Sequence, residues 1–207
     1  MSTKIPNIVL LGDSIRMDYQ EIVIESLGRQ ANVWAPEENC EDSAFIIKNI
    51  KKWFSDRRPD LIYMNCGLHD IVLDEKLQCR RSVQDYGKNL ETILSWLMEN
   101  CKGAKVIFAL TTPVIEERQK ISQTYKRLVR RNSDVDQYNE EMVRIAENQN
   151  VLVDDIHRVL KNETLGNMLI EDGIHLSSCG ARLLGKHIAD KIEKLMTCQL
   201  NHTGTFV

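Results

Sequence analysis

The sequence predicts an α/β fold in which a parallel β-sheet is covered by helices on both faces. Short apolar runs rich in Val, Ile and Leu show little alternation with polar residues, which is typical of parallel strands buried on both faces. Longer stretches with apolar residues at three- and four-residue spacing separate these runs and predict helices. The alternation of strands and helices indicates βα units, which build a parallel sheet.

The boundaries of the elements follow from the same pattern. The candidate strands are residues 7–11, 32–35, 61–65, 105–110 and 151–153. The candidate helices are residues 19–29, 43–56, 82–100, 135–149 and 178–198. Ser82, Asp134 and the two serines at 177 and 178 carry side-chain oxygens that can cap the first free amides of three of these helices.

Size and composition predict one domain over residues 1–207, because 43% of the residues are hydrophobic and domains commonly contain about 100–200 residues. A net charge of −3 gives no global basic field for nucleic acid. No apolar run approaches the roughly 18 residues that a membrane span requires, and the first residues contain no signal-peptide core. We therefore expect a cytoplasmic protein with neither a nucleic-acid partner nor a membrane span.

The six cysteines show neither a Cys-x-x-Cys pair nor another spacing typical of metal ligands. In a chain of this length without an export signal, free thiols are expected rather than disulfides. Cys66 follows a predicted strand, where a reactive thiol is one interpretation. No activating cation is near it in the sequence, so a small, buried, apolar role is favoured.

Ser14 belongs to a Gly-Asp-Ser-Ile segment at 12–15, at the predicted turn from the first strand into the first helix. In doubly wound sheets, ligands bind at such strand ends. A serine hydroxyl becomes a useful nucleophile only when a base lies within hydrogen-bond reach. The same residue types also favour an ordinary turn and helix cap, so the segment alone does not decide between the two interpretations.

A candidate base and its partner carboxylate lie near the other end of the chain, in Asp-Gly-Ile-His at 172–175. This spacing lets one loop fold the Asp172 carboxylate onto the His175 ring, where it would hold the tautomer and stabilise the imidazolium. His69, with Asp70 beside it, is a rival base, but adjacent residues in a turn usually point apart. We therefore expect Ser14, His175 and Asp172 to be the catalytic residues. The remaining histidines are expected to be solvated: His157, His187 and His202.

An acyl-transfer site also needs hydrogen-bond donors that stabilise the oxyanion of the tetrahedral intermediate. The backbone N–H of Ser14 is one candidate. A backbone amide in the loop after the second strand, near residues 40–42, is another. The side chain of His69, which follows the third strand, is a third candidate if its neutral ring presents an N–H to the site.

Three segments in this order resemble the blocks of the GDSL/SGNH hydrolase family. They are Gly-Asp-Ser-Ile at 12–15, Gly-Leu-His-Asp at 67–70 and Asp-Gly-Ile-His at 172–175. The resemblance extends over residues 7 to about 195, essentially the whole chain. It implies a three-layer α/β/α sandwich with a flavodoxin-like, five-stranded parallel sheet. It also implies hydrolysis of acyl esters through an acyl-enzyme, with no metal and no cofactor.

Two departures from the family pattern concern the oxyanion hole. The family's second block has a glycine that donates its backbone amide, and the nearest match here is Glu41, with Cys40 as the alternative after a shift of one residue. His69 stands where the family has an asparagine, and a neutral imidazole can also donate one hydrogen bond. Asn65 is an alternative donor. The resemblance therefore implies an oxyanion hole made by Ser14, Glu41 and His69.

The expected function is hydrolysis of short acyl esters, acetyl esters first, on a small-molecule or carbohydrate substrate. The range of substrates in the family supports this, and an aromatic content of 6% argues against a large lipid groove. Three alternatives remain open. They are a lysophospholipase or thioesterase, an acyltransferase with the same triad, and a non-catalytic flavodoxin-like module whose Ser14 turn binds an anion.

Residues 114–131 form an irregular segment rich in charge after the fourth predicted strand. A solvated excursion is favoured, because charged runs usually lie on solvent faces. The alternative is a flap beside the ligand crevice, whose arginines would contact an acidic or carbohydrate substrate. The charged residues are Glu116, Glu117, Arg118, Lys120, Lys126, Arg127, Arg130 and Arg131.

Overall fold

A parallel sheet of five strands forms the centre of the protein in the computed structural model, which describes residues 4–121 and 129–202. The strands are β1 (Asn7–Leu11), β2 (Asn32–Trp34), β3 (Leu61–Asn65), β4 (Lys105–Ala109) and β5 (Leu152–Asp154). They lie in the order β2-β1-β3-β4-β5, and every adjacent pair is parallel. The predicted strands are confirmed, each to within one residue at either end.

Helices cover both faces of the sheet, so the predicted three-layer α/β/α architecture is confirmed. The helices are α1 (Ser14–Leu27), α2 (Ser43–Trp53), α3 (Val83–Asn100), α4 (Glu116–Ile121), α5 (Asn132–Asn148), α6 (Ile156–Lys161), α7 (Leu165–Met168) and α8 (Ser178–His202). Helix α1 packs against α8, whereas α3 packs against both α2 and α5. Because β2 and β3 flank β1 on opposite sides, right-handed crossovers place α1 and α2 on opposite faces.

The order in which strands are added to the sheet changes sides at β1: β2 lies on one side of it, and β3 and the later strands lie on the other. Such a topological switch point leaves a crevice at the carboxyl ends of β1 and β3. All five residues of β3 are buried, as are the last four of β1. This apolar packing on both faces fixes the strand ends from which the site is built.

Helix α1 begins at Ser14, so the predicted start at Tyr19 is wrong. The Asp13 side chain caps the helix by accepting an N–H from its first turn at 3.0 Å. Arg16 and Asp18 interrupt the apolar spacing in the sequence, so the spacing did not predict the first turn of this helix. Both are turned into the protein, where they hydrogen-bond to other loops.

Two of the three predicted helix caps are confirmed. Ser82 and Ser177 each accept the N–H three residues further on, both at 3.1 Å. The cap predicted at Asp134 is wrong, because α5 begins at Asn132. The Asp134 carboxylate instead lies in the first turn of α5 and pairs with Arg131 at 2.6 Å.

Three short helices were not predicted, namely α4, α6 and α7. Each has four to six residues, too few for an apolar spacing of three and four to repeat. Helix α4 lies within the segment 114–131, which the sequence predicted to be irregular. Helix α6 has a capping side chain, Asp155, which accepts the N–H of Arg158 at 2.8 Å.

Of the histidines that the sequence predicted to be solvated, His157 is buried and His187 is half-buried. His157 is only 9% exposed, and burial lowers its pKa. The His187 ring lies 2.9 Å from the carboxylate of Asp154, at the end of β5. The same carboxylate accepts the Tyr63 hydroxyl at 2.8 Å and the Lys191 ammonium at 2.9 Å. This Asp154 cluster joins β3, β5 and α8. The side chain of His202 lies outside the described residues.

The described cysteines are free, and most are buried. Cys66 is fully buried, and burial raises the pKa of its thiol well above the ordinary value, as expected of a small core residue rather than a nucleophile. The free cysteines are Cys40, Cys66, Cys79, Cys101 and Cys179, whereas the side chain of Cys198 is outside the described residues. Across 4–121 and 129–202, no helix is long and apolar enough to cross a membrane.

Candidate active site

The structure brings together the three residues that the sequence predicted to be catalytic. His175 Nε2 lies 2.8 Å from the hydroxyl oxygen of Ser14. On the other side of the ring, His175 Nδ1 lies 2.6 Å from Asp172 Oδ2. A carboxylate at Nδ1 holds a proton on that nitrogen, which leaves the lone pair of Nε2 available to accept the serine proton. The three side chains therefore have the geometry of a nucleophile, a base and a group that orients the base.

The turn before Ser14 is fixed by a buried polar network. Asn65, at the end of β3, donates its side-chain amide to the Asp13 carboxylate at 2.9 Å. The Asn65 carbonyl oxygen accepts the Tyr19 hydroxyl, also at 2.9 Å. Gly12 passes so close to this network that an added Cβ would lie 2.2 Å from the Asn65 oxygen. Asn65 thus shapes the turn, and its contacts do not support the alternative that it donates to an oxyanion.

The loop that carries His175 is shaped by the Asp172 carboxylate. Asp172 Oδ1 accepts the backbone N–H groups of Ile174 at 2.8 Å and of His175 at 3.0 Å. Burial raises the pKa of Asp172, but the hydrogen bonds from His175 and these amides outweigh it and lower the pKa below the ordinary value. Gly173 has φ 73°, and an added Cβ there would lie 2.4 Å from the Ile115 oxygen. Glycine is therefore required at this turn.

One residue that sequence reasoning missed joins this loop to α1. The side chain of Asp18 accepts the N–H of Leu176 at 2.9 Å. Asp18 lies one helical turn beyond Ser14, and Leu176 directly follows His175. The sequence carries no local signal for this contact, since the two residues are 158 positions apart.

The structure distinguishes between the two candidate amides of the second block. The N–H of Cys40 donates to the Gly12 carbonyl at 3.1 Å, so it is already used within the fold. Glu41 has φ 47°, in the left-handed region that favours glycine. The Glu41 N–H donates to the side chain of Asn39 at 2.8 Å. Glu41 thus adopts a backbone conformation suited to a glycine, and its amide is held by a side chain rather than by the backbone.

A buried arginine attaches this second-block loop to the nucleophile helix. Arg16 is fully buried and donates to the carbonyl of Glu38 at 2.8 Å and to the carbonyl of Gly12 at 3.3 Å. Its guanidinium also donates to the side chain of Gln20. The position of Glu41 relative to Ser14 therefore depends on a side chain that the sequence pattern did not single out.

His69 follows β3 and is largely shielded from solvent. Burial lowers its pKa to about 4, assisted by the positive charges of Arg130 and Arg80 and opposed by Asp42. The ring is therefore neutral at neutral pH and has one N–H to donate. The Nε of Arg130 donates to the Leu68 carbonyl at 2.6 Å, which holds the loop that carries His69.

The rival pairing of His69 with Asp70 is not favoured by the contacts of Asp70. Its carboxylate accepts the Ser43 hydroxyl at 2.5 Å and the Ser43 N–H at 3.1 Å. Burial raises the pKa of Asp70 to about 6. Asp70 therefore ties the end of β3 to the start of α2, and its oxygens are directed to Ser43 rather than to the ring beside it.

The GDSL-like Lipase/Acylhydrolase family model matches residues 48–183, about two thirds of the sequence. The chain belongs to this family. The matched range contains His69, Asp172 and His175, while Ser14 precedes it and is placed at the site by the geometry above. No curated protein matches the sequence significantly.

Solved structures of similar proteins share the fold of this GDSL-family protein. A lipase/acylhydrolase from Enterococcus faecalis superposes with a TM-score of 0.76 at 21% identity, covering 91% of this chain and 96% of that one. The acetyl xylan esterase AlAXEase gives a TM-score of 0.71 at 16% identity, covering 91% and 98%. An acetylxylan esterase from Geobacillus stearothermophilus gives 0.69 at 17% identity, covering 92% and 96%.

Two arginines of the segment 114–131, Arg118 and Arg130, contact other loops of this GDSL-family protein. Arg118 donates to the carbonyl oxygens of Leu169 at 2.7 Å and of Gly166 at 2.9 Å, next to the loop that carries His175. Arg130 is 4% exposed. Arg130 therefore lacks the predicted solvated role, whereas the Arg131 side chain is 41% exposed and pairs with Asp134. The alternative of a flap beside the ligand crevice stays a prediction. The side chains of Lys120, Lys126 and Arg127 lie outside the described residues.

Proposed function

We propose that this GDSL-family protein is a serine esterase that hydrolyses short acyl esters, with Ser14 as nucleophile, His175 as base and Asp172 as the group that orients the base. The observation that carries the proposal is the continuous chain of contacts from Ser14 through His175 to Asp172, at 2.8 Å and 2.6 Å. The single domain over residues 1–207 and the cytoplasmic location remain predictions from the sequence.

In the first half of the reaction, the Ser14 oxygen attacks the carbonyl carbon of the ester while its proton moves to His175 Nε2. The Asp172 carboxylate stabilises the imidazolium that results. As the tetrahedral intermediate collapses, the imidazolium gives this proton to the departing alkoxide, and the acyl group stays on Ser14. A water molecule then attacks the acyl-enzyme with the same base, which releases the acid and restores the serine.

The oxyanion would be stabilised by the N–H groups of Ser14 and Glu41 and by the neutral ring of His69. The low pKa of His69, about 4, supports this role because the ring stays uncharged at neutral pH. The Glu41 amide would have to leave its bond to Asn39 for the oxyanion, or share it. Donors of this kind are each worth about 10²- to 10³-fold in kcat.

Acetyl esters are the proposed substrates, with O-acetylated carbohydrate as the first candidate. Two structural neighbours that share the fold are named as acetyl xylan esterases. A comparison of p-nitrophenyl acetate with the octanoate and dodecanoate esters tests the choice of acyl chain. An optimum at acetate supports it, and an optimum at the long chains would overturn it. Product analysis with an added alcohol acceptor separates hydrolysis from acyl transfer.

The decisive experiment compares wild type with Ser14→Ala. We expect a loss of about 10³-fold or more in p-nitrophenyl acetate turnover, together with loss of labelling by a fluorophosphonate, which reacts only with an activated serine. Ser26→Ala is the matched control, because Ser26 is an exposed serine on the same helix. Peptide mapping of the labelled wild type should identify Ser14. Unchanged turnover in Ser14→Ala would remove this residue from the mechanism.

A further inference from the structure

The contact between Asp18 and Leu176 joins the two halves of the candidate site. Asp18 is half-buried on α1, and its carboxylate accepts the Leu176 N–H at 2.9 Å. The loop that carries His175 also has internal hydrogen bonds, such as the bond from the Ile170 N–H to the His175 carbonyl at 2.9 Å. These internal bonds shape the loop but do not attach it to α1. The Asp18 carboxylate does so, one helical turn from Ser14.

The distance between Ser14 and His175 depends on how this loop sits against α1. Displacing a reacting group by about 1 Å can cost on the order of 10²-fold in rate, because the nucleophile and base must stay in hydrogen-bond geometry. A backbone N–H next to the base, held by a side chain from the nucleophile's own helix, fixes that distance directly.

We propose that Asp18 is a positioning residue for His175. This inference rests on the proposed esterase function. Asp18 would act as the acceptor for the Leu176 N–H, which holds the loop of His175 against the helix of the nucleophile.

The electrostatic surroundings of Asp18 agree with a place beside the other site residues. Burial raises its pKa, while the Leu176 N–H and the charge of His175 lower it and the Asp172 carboxylate raises it again. The charged groups that act on Asp18 are thus the base and the orienting carboxylate of the site.

Two substitutions separate the acceptor oxygen of Asp18 from its charge. Asp18→Asn keeps an oxygen that can accept the Leu176 N–H but loses the charge, whereas Asp18→Ala loses both. We expect kcat for p-nitrophenyl acetate to fall about tenfold or more in Asp18→Ala, with KM changed less than about twofold, and to stay within about threefold of wild type in Asp18→Asn. Glu25→Gln and Glu25→Ala are the matched controls, since Glu25 is an exposed carboxylate on the same helix.

Rescue by the conservative variant tests the acceptor. A residue that only supports the fold would not recover kcat in Asp18→Asn at an unchanged KM, and the Glu25 variants should keep wild-type kcat. Equal loss of kcat in Asp18→Asn and Asp18→Ala would overturn the inference, as would wild-type kcat in Asp18→Ala.

Amide hydrogen exchange at Leu176 tests the acceptor without any need for activity. Exchange should be faster in Asp18→Ala and remain slow in Asp18→Asn. If Asp18→Ala does not fold, Asp18→Asn still decides: kcat near wild type with slow Leu176 exchange supports the inference, whereas fast Leu176 exchange with wild-type kcat overturns it. Wild-type turnover in Ser14→Ala would defeat the proposed esterase function, while unchanged Leu176 exchange in Asp18→Ala would defeat the proposed contact, so the two failures are distinguishable.

Discussion

His69 shows, at the scale of one residue, how burial can keep a histidine ring neutral. It stands where the family pattern has an asparagine, which is neutral at every pH. Burial and the charge of Arg130 lower the pKa of His69 to about 4, so the ring resembles a neutral amide donor under ordinary conditions. A solvated histidine would titrate near pH 6.5 and would add a positive charge to the site in weakly acidic solution.

Substitutions of His69 should therefore show whether its N–H donor or a positive charge on its ring affects the reaction. We expect His69→Ala to lower kcat by about 10²- to 10³-fold, the cost of one oxyanion donor, and His69→Asn to retain most of the activity. The ratio of kcat/KM between wild type and His69→Asn should be constant from about pH 5 to about pH 8, because the wild-type ring is neutral throughout. A change in that ratio between about pH 6 and pH 7, measured with p-nitrophenyl acetate, would contradict the lowered pKa.

The residues that sequence reasoning found in the site are those whose chemistry is visible in short segments, namely Ser14, Asp172 and His175. Glu41 was predicted only as the nearest match to a glycine of the family pattern, and its φ of 47° lies in the region that favours glycine. Arg16 and Asp18 were missed, because their partners lie on other loops and nothing local marks the contact.

At the scale of elements, strands were predicted more accurately than helix ends. A strand such as β3 is buried on both faces and reads as an unbroken apolar run. Helix α1 starts with polar residues that bind other loops, so its first turn lacks the apolar spacing on which the prediction relied. Helices α4, α6 and α7 are too short for any spacing to repeat.

The Asp154 cluster should make the docking of α8 depend on pH. Burial raises the pKa of Asp154, but hydrogen bonds from His187 and Lys191 outweigh it and lower the pKa below the ordinary aspartate value. The unfolded state then binds the proton more readily, so the stabilisation is present above the unfolded pKa of about 4 and is lost as the pH falls through the folded value.

We expect Asp154→Asn to lower the free energy of unfolding by about 1.5–3 kcal/mol at neutral pH, the range for hydrogen bonds to a charged group. The difference from wild type should shrink as the pH falls below about 4, where wild-type Asp154 also becomes protonated. Urea denaturation at several pH values measures it. Asp190→Asn is the control, because Asp190 is an exposed carboxylate on α8, the helix that the Asp154 cluster holds. A difference for Asp154→Asn that did not vary with pH would count against the ionic contribution.

At the scale of the whole molecule, the strand order explains why residues from the two ends of the chain meet. The order β2-β1-β3-β4-β5 places the carboxyl ends of β1 and β3 side by side, and α8 packs against α1. The loop that precedes α8 therefore brings His175 to Ser14. The parallel sheet could be predicted from periodicity, because hydrophobic burial sets it, whereas its flavodoxin-like strand order was implied only by the family resemblance. The packing of α8 on α1 depends on long-range contacts that have no local pattern.

The residues of the candidate site come from both ends of the chain and meet at one sheet. We therefore expect the site to be lost only when the whole protein unfolds. Far-UV circular dichroism, tryptophan fluorescence and fluorophosphonate labelling should follow one coincident urea transition, as is typical of a single cooperative domain. The Ser26→Ala protein should behave in the same way. Two separated transitions in the spectroscopic signals would contradict the prediction of one domain over residues 1–207.

The buried Arg16 has a consequence for anyone who recombines this chain with a relative. Its guanidinium donates a hydrogen bond to the carbonyl of Glu38, and the two residues lie on segments before and after β2 in the sequence. A chimera with a crossover between them would pair a foreign loop with this arginine, or leave the carbonyl without its donor inside the protein. Segments 12–20 and 35–42 should therefore be inherited together.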